Sequence, residues 1–307
     1  MQTSQPRFAT KLCGLLFFLP GLAAAQPVPI INAGFESNAI ASGAFAVLTP
    51  QCWNGYDPSL IINNNANAVG VIRPDVPQTF FPTGAPEGAH AALVFLAGTQ
   101  NAVAGLQQTL AATLQPDTRY RCSVQVGNIA SGTSLPGSSD GGGVFYDLDG
   151  FPGYRIDLLA GTNVIASDNN SLGAQIPEGE WREARIHFDV TNAHPQLGLP
   201  LGIRLVNLKL PGTATVPNIE VDFDDARLSA GPIPVAAQLA ITLAGSQPAL
   251  TLTGTTGATY RIEHTAQLPA TNWVTLTNLL LNAPARITAD PQPATDPQRF
   301  YRSVLVD

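Results

Sequence analysis

Val144–Gly161 reads VFYDLDGFPGYRIDLLAG, and its two halves differ in kind. The second half sets Tyr154, Ile156 and Leu158 against Arg155, Asp157 and Leu159, the period-two pattern of a strand with one face in a core. The first half follows Gly141-Gly142-Gly143 and places Asp147 and Asp149 before Gly150. Closely spaced carboxylates on flexible backbone suit a hard cation or a ligand-facing loop. Working outward, strand patterns recur at 91–96, 120–126, 181–190, 201–206 and 219–228. No window makes a convincing long amphipathic helix. The nearest, 103–114, suits a strand, a turn and a second strand equally. The expected fold is all-β, an antiparallel sandwich.

Residues 1–25 carry only Arg7 and Lys11, then an apolar run from Leu12 to Leu19, then Ala23-Ala24-Ala25. This reads as a signal peptide of a secreted or periplasmic protein, with the remaining chain starting near Gln26. The apolar run is too short for a membrane anchor, and Pro20 interrupts it. Without the leader's two cations the net charge moves from −7 to about −9, which argues against nucleic acid and anionic membranes as partners. Gly 28 and Pro 26 among short alternating apolar runs fit strands joined by turns. Beyond the leader, Cys52 and Cys122 are the remaining cysteines. They could form a disulfide in an oxidising compartment or stand as two separate thiols, and the sequence leaves both open. No zinc spacing occurs, and the four histidines fall in no metal or triad spacing.

The Pro/Gly segment 231–234 separates two expected domains, 26–230 and 235–307. In the second, TYRIEHTAQLPATNWVTL (259–276) and RFYRSV (299–304) resemble the small fibronectin-like β-modules of secreted bacterial proteins. Tyr260, Trp273 and Phe300 are expected in its core. The first domain opens on Ile31-Asn32-Ala33-Gly34-Phe35-Glu36 and closes on VDFDDARL (221–228). Both resemble the end strands of galactose-binding-like jelly rolls, including carbohydrate-binding modules. That resemblance implies a structural calcium held by Glu36 and Asp224, an oxygen-only site fastening both chain ends. Further calcium sites are expected at the oxygen-rich turns with Asp147, Asp149 and Asp168.

A narrower resemblance rests on five strings in order: APEGAHAALVFLAG (85–98), VAGLQQTLAATLQPDTRYRCSVQVGN (103–128), LDGFPGYRIDLLAG (148–161), LGIRLVNL (201–208) and VDFDDARL. Together they resemble the Stig cyclases, calcium-binding jelly-roll enzymes that rearrange and cyclise isonitrile-bearing indole terpenoids. The likeness spans about 29–230. It implies an aspartic acid near the last strand as proton donor, matched here by Asp222. Such an acid must stay protonated, which burial beside Glu220, Asp224 and Asp225 would favour. It also implies an aromatic pocket for a cationic intermediate, with Trp53, Tyr56, Phe80, Phe81, Tyr146 and Phe151 as candidates. Where the cyclases carry an orienting tyrosine, this chain has Leu93. The related enzymes imply a homodimer.

Two other classes compete. Aromatic residues on a jelly-roll face also stack on sugars, so a non-catalytic carbohydrate-binding module with a glycan ligand is the alternative. A purely structural extracellular protein is the third. An open aromatic platform would favour the glycan; a closed apolar cavity with a single buried acid would favour the small terpenoid-like molecule.

Overall fold

The computed structural model describes residues 25–74, 80–244, 247–270, 272–291 and 298–306; the leader, up to residue 24, lies outside the described residues. Two compact units divide after Val235. The first contains β1 (Gln26–Val28), β2 (Phe45–Val47), β3 (Asn54–Tyr56), β4 (Asn67–Ile72), β5 (Ala91–Leu96), β6 (Ala104–Thr113) and β7 (Thr118–Asn128). It continues with β8 (Gly132–Thr133), β9 (Phe145–Tyr146), β10 (Tyr154–Ala160), β11 (Asn163–Asn169), β12 (Glu180–Val190), β13 (Pro200–Asn207) and β14 (Glu220–Pro232).

These strands make a jelly-roll sandwich in which the pairings among the described residues are all antiparallel. The seven-stranded sheet runs β12-β7-β14-β5-β4-β2, with β1 also on β14, and the five-stranded sheet runs β11-β10-β13-β6-β3. Alternation explains the core. Val221 and Phe223 on β14, Val124 and Val126 on β7, and Val94 on β5 meet Ile156 and Leu158 of β10 and Ile203 and Leu205 of β13. Each such side chain contributes about 1.5–3 kcal/mol by burial. The ambiguous 103–114 segment forms one strand, β6, paired with β13 from Ala104 to Thr109 and again at Thr113, with a register shift in place of the expected turn. β14 runs through Gly231 to Pro232, so part of the expected linker is strand.

One expectation changes here, and one point that the sequence leaves open is answered. β10, flanked by β11 and β13, is buried on both faces rather than half-buried. Its outward Asp157 is fully buried and accepts hydrogen bonds from Ser167, Arg155 and Arg204. Cys52 and Cys122 are separate thiols, one exposed at a left-handed turn position and the other in the core. Burial pushes the Cys122 thiol up to about 12.

β14 also shows why two acids stand side by side in VDFDDARL. The pairing with β7 shifts between Asp224 and Arg227, and Asp225 takes φ +48°. This bulge absorbs one residue, so Phe223 and Ala226 both face inward while Asp224 faces out.

The second unit has two three-stranded sheets. One is β15 (Gln238–Ala244), β16 (Gln247–Thr253) and β19 (Ala285–Ala289); the other is β18 (Val274–Leu280), β17 (Thr259–Thr265) and β20 (Phe300–Val306). Tyr260, Leu250, Leu252 and Ile262 are its buried centre. Trp273 and Phe300 are only half-buried, against expectation. Arg302 stacks on Trp273 at 4.3 Å while bonding Glu263 at 2.6 Å, which makes this ring a surface clasp.

Candidate active site

The outer face of the seven-stranded sheet carries a second apolar cluster, including Ile72, Phe80, Phe81, Leu93, Ile129 and Leu148. Register places Trp181, Gly127, Asp222, Leu93, Gly70 and Val47 in one row across this face, and residues directly opposite share a face. Gly127 has a specific role in that row. A Cβ there would meet the Trp181 ring at 2.7 Å and the Phe81 ring at 2.8 Å. Its absence lets these two rings stack, 4.3 Å between centroids, directly on the sheet beside Asp222.

Asp222 is fully buried, and neither carboxyl oxygen has a hydrogen-bond partner among the described residues. Burial, then the Glu220 carboxyl two residues away, pushes its pKa well up from the usual carboxylate range. Burial also pushes Glu220 up, to about 8. Both groups therefore hold their protons near neutral pH.

Beside them lies a pocket with roughly 490 Å³ of empty space, part of it open to solvent. β5 supplies Leu93 and Phe95, β4 Ala68 and Ile72, β2 Phe45 and Val47; Asn65, Phe80, Ile129, Tyr146 and Leu148 complete the wall with Glu220. The Tyr146 ring stands edge-on to Phe45 at 5.8 Å and to Phe95 at 6.2 Å. The Gly-rich loop fixes that tyrosine. Asp140 accepts bonds from Ser134 Oγ at 2.7 Å, Gly142 N–H at 2.9 Å and the Tyr146 hydroxyl at 3.1 Å. Burial raises the Asp140 carboxyl, but these bonds outweigh it and hold it below its usual value. Burial and the Asp140 bond push Tyr146 up to about 12.

Of the aromatic candidates, Phe80 and Tyr146 line the pocket, and Phe81 packs in the adjoining cluster. The others lie elsewhere. Trp53 is core, 5.1 Å from Phe35 and bonded to the Asn32 carbonyl. Tyr56 belongs to the five-stranded sheet under the Arg204 guanidinium. Phe151 packs on the central core near Tyr154. Sequence reading passed over Phe45, Phe95 and Trp181, and treated Glu220 only as a neighbouring charge. Phe95 was within reach, since it stands two residues from Leu93 on one strand.

The acidic turns are occupied by local bonds. Asp147 accepts from the Asp149 N–H, Asp149 from Ser131, and Asp168 from Tyr154 and Ser171. Among the described residues no group of three His, Cys, Asp or Glu gathers as a metal cluster. Glu36 accepts the backbone N–H of Ala89 and His90 and lies 2.6 Å from His90 Nδ1. Burial pushes its carboxyl up, but the bonds from His90 and Ala89 outweigh this and hold it low. Asp224 is buried beside the Glu87 carboxyl: a Cβ on Gly34 would stand 1.9 Å from Glu87 Oε2 and 3.5 Å from Asp224 Oδ1. Burial foremost, with Glu87 and Asp225 adding, pushes Asp224 up to about 8. Two crowded carboxyls are oxygen donors of the kind a hard cation takes; here both Asp224 oxygens accept backbone N–H, from Glu87 and Asp225, and the pair seen is Asp224 with Glu87 rather than with Glu36.

The model of the HpiC1-like family, described as HpiC1 cyclase, matches residues 26–229. The chain belongs to this family of cyclases. Solved cyclase structures agree. An apo cyclase from Fischerella sp. is 38% identical with a TM-score of 0.59, covering 69% of this chain and 99% of its own. A Stig cyclase from Fischerella sp. TAU in complex with (3Z)-3-(1-methyl-2-pyrrolidinylidene)-3H-indole is 38% identical with a TM-score of 0.58, covering 68% and 99%. A Fischerella sp. TAU cyclase in complex with 4-(1H-indol-3-yl)butan-2-one has the same identity and TM-score, covering 69% and 100%. Among curated proteins, none matches the chain.

Proposed function

We propose that the first unit is an acid-promoted cyclase that takes an apolar, indole-bearing terpenoid into the Phe45–Phe95–Tyr146 pocket, with Asp222 as proton donor. One observation carries the reading: a fully buried aspartic acid with no partner for either oxygen, next to an aromatic pocket. A carboxyl kept neutral by its surroundings is a proton source at neutral pH, and ring faces stabilise a developing cation without trapping it. The apolar, aromatic lining of a recessed pocket argues against a glycan platform. Leu93 provides no hydroxyl, so the ligand is oriented by other groups than a tyrosine on β5.

Calcium, in this reading, is a structural ion held at the meeting of the chain ends by Asp224 and Glu87, with Glu36 alongside. It would relieve the crowding of those carboxyls and fasten β14 to the loop before β5. The apolar leader and its alanines support export of the protein. The test is turnover of an indole-isonitrile terpenoid by the full chain and by Asp222→Asn. The rate should fall by about 10²–10⁴ in the variant, while its melting temperature stays at or above that of the parent. Undiminished turnover removes Asp222 from the chemistry, and no turnover by the parent removes the cyclase reading for this ligand. Chelation by EDTA should lower the melting temperature, reversibly on adding calcium.

A further inference from the structure

Asp222 is not itself among the pocket-lining residues; Glu220 is the carboxyl that lines the pocket. Glu220 is only 6% exposed, and burial alone shifts its carboxyl, with no hydrogen bond from the described residues to it. Its register partner is Phe95, a pocket wall. The other polar groups there are committed or weak. The Tyr146 hydroxyl is given to Asp140, and Asn65 belongs to a surface turn. An isolated buried carboxyl opening on an otherwise apolar cavity is costly to the fold unless a ligand pairs with it.

Resting on the cyclase reading, we propose that Glu220 is the hydrogen-bond donor that orients the ligand, so that this pocket selects uncharged indole compounds bearing a lone-pair acceptor such as a carbonyl oxygen. In its neutral form Glu220 offers one O–H to that acceptor. Once ionised it offers none and repels the acceptor's lone pairs.

The titratable groups near Glu220 are Asp222 on its own strand and Tyr146 from the β9 hairpin, backed by Asp140. The pocket face of β5, β4 and β2 brings only apolar side chains. Tyr146, pushed up to about 12, stays neutral, and Asp140 stays ionised, across the neutral range. Glu220 titrates near 8, which makes ligand affinity its reporter.

The experiment is calorimetric titration of the full chain with 4-(1H-indol-3-yl)butan-2-one at about pH 6 and about pH 9. The parent protein should bind about tenfold more weakly at the higher pH, because the donor form is then the minor one. Glu220→Gln keeps a donor at both pH values and should hold the tighter affinity with no pH dependence. Glu220→Leu should bind weakly at both, and Asp222→Asn should keep a pH dependence. Equal affinity of the parent at the two pH values overturns the proposal, as does a Glu220→Gln protein that weakens like the parent. Either result leaves the cyclase reading standing. Failure of the ketone to bind at either pH overturns the role of Glu220 and the assignment of the pocket together.

Discussion

Each sheet of the sandwich buries an acid on its outer face, and the two acids are treated in opposite ways. Asp157, on β10 of the five-stranded sheet, has Arg155 at 3.1 Å, Arg204 at 3.4 Å and the Ser167 hydroxyl at 2.6 Å. Asp222, in the middle of the seven-stranded sheet, has no cation and no hydrogen bond, and its neighbour in sequence on that face is another acid. The first is a neutralised structural charge. The second is a pair of protonated carboxyls whose cost the fold sustains, and such local conflicts concentrate at functional sites.

The largest expected effect separates the two faces by pH. Glu220 is raised in the folded protein, so between the ordinary carboxyl range near 4.5 and about 8 the folded state holds a proton that the unfolded chain has released. Stability therefore falls as pH rises through that window, by an amount on the order of 3–5 kcal/mol if the pocket stays closed. Urea melts across the window should show the decline, and Glu220→Gln should make it shallower, the remainder coming from Asp222 and Asp224, whose carboxyls burial also raises. A flat profile in the parent protein would mean that water or a rearranged side chain relieves this face.

The next effect falls on the other sheet. Asp157→Asn leaves Arg204, whose side chain is 12% exposed, beside a neutral partner, and should cost about 3 kcal/mol. Asp222→Asn, the same change at an equally buried site, should cost nothing or stabilise, since no ion pair is lost. Equal losses in denaturant melts of the two variants would erase the distinction between the faces.

How much of this contrast the sequence shows depends on range. Period-two patterns mark β5, β7, β10, β12, β13 and β14, and the strings at 85–98 and 221–228 lead to the family and to Asp222. Pocket membership is harder, because it depends on which strands lie side by side. Phe45 and Val47 come from a three-residue edge strand with no readable alternation, and only the register through β4 brings them to Leu93. Trp53 and Phe151 look no different in sequence from Phe80, yet they fall on the inner side of the sandwich. Asp147, Asp149 and Asp168 illustrate a local ambiguity. Carboxylates in Gly-rich turns serve backbone and hydroxyl donors as readily as a cation, and here they do the former. For Asp157, the arginine that completes its environment is 47 residues away.

The smallest effect tests the packing that shields the acids. Gly127→Ala puts a methyl 2.7 Å from the Trp181 ring and 2.8 Å from the Phe81 ring, so the stack must lift from the sheet. Gly202→Ala on the five-stranded sheet meets its nearest neighbours, the Gln108 carbonyl and the Leu159 side chain, at 3.1 Å and 3.3 Å, and a slight shift accommodates it. Gly127→Ala should cost about 1–2 kcal/mol, part of the overpacking penalty being offset by the glycine's lost freedom; Gly202→Ala should be close to neutral. Near-ultraviolet circular dichroism, which reports the asymmetric environment of the Trp181 indole, should change in the first and not in the second. Lifting the rings also admits water to the Asp222 carboxyl, which lowers its pKa toward the ordinary range by removing the desolvation that raised it. Gly127→Ala should then weaken the acid more than it weakens the fold, with turnover lost at neutral pH and partly recovered in acid. Full turnover at neutral pH with an altered dichroism spectrum would show that the stacked rings are packing alone and that Asp222 is kept neutral by the strands beside it.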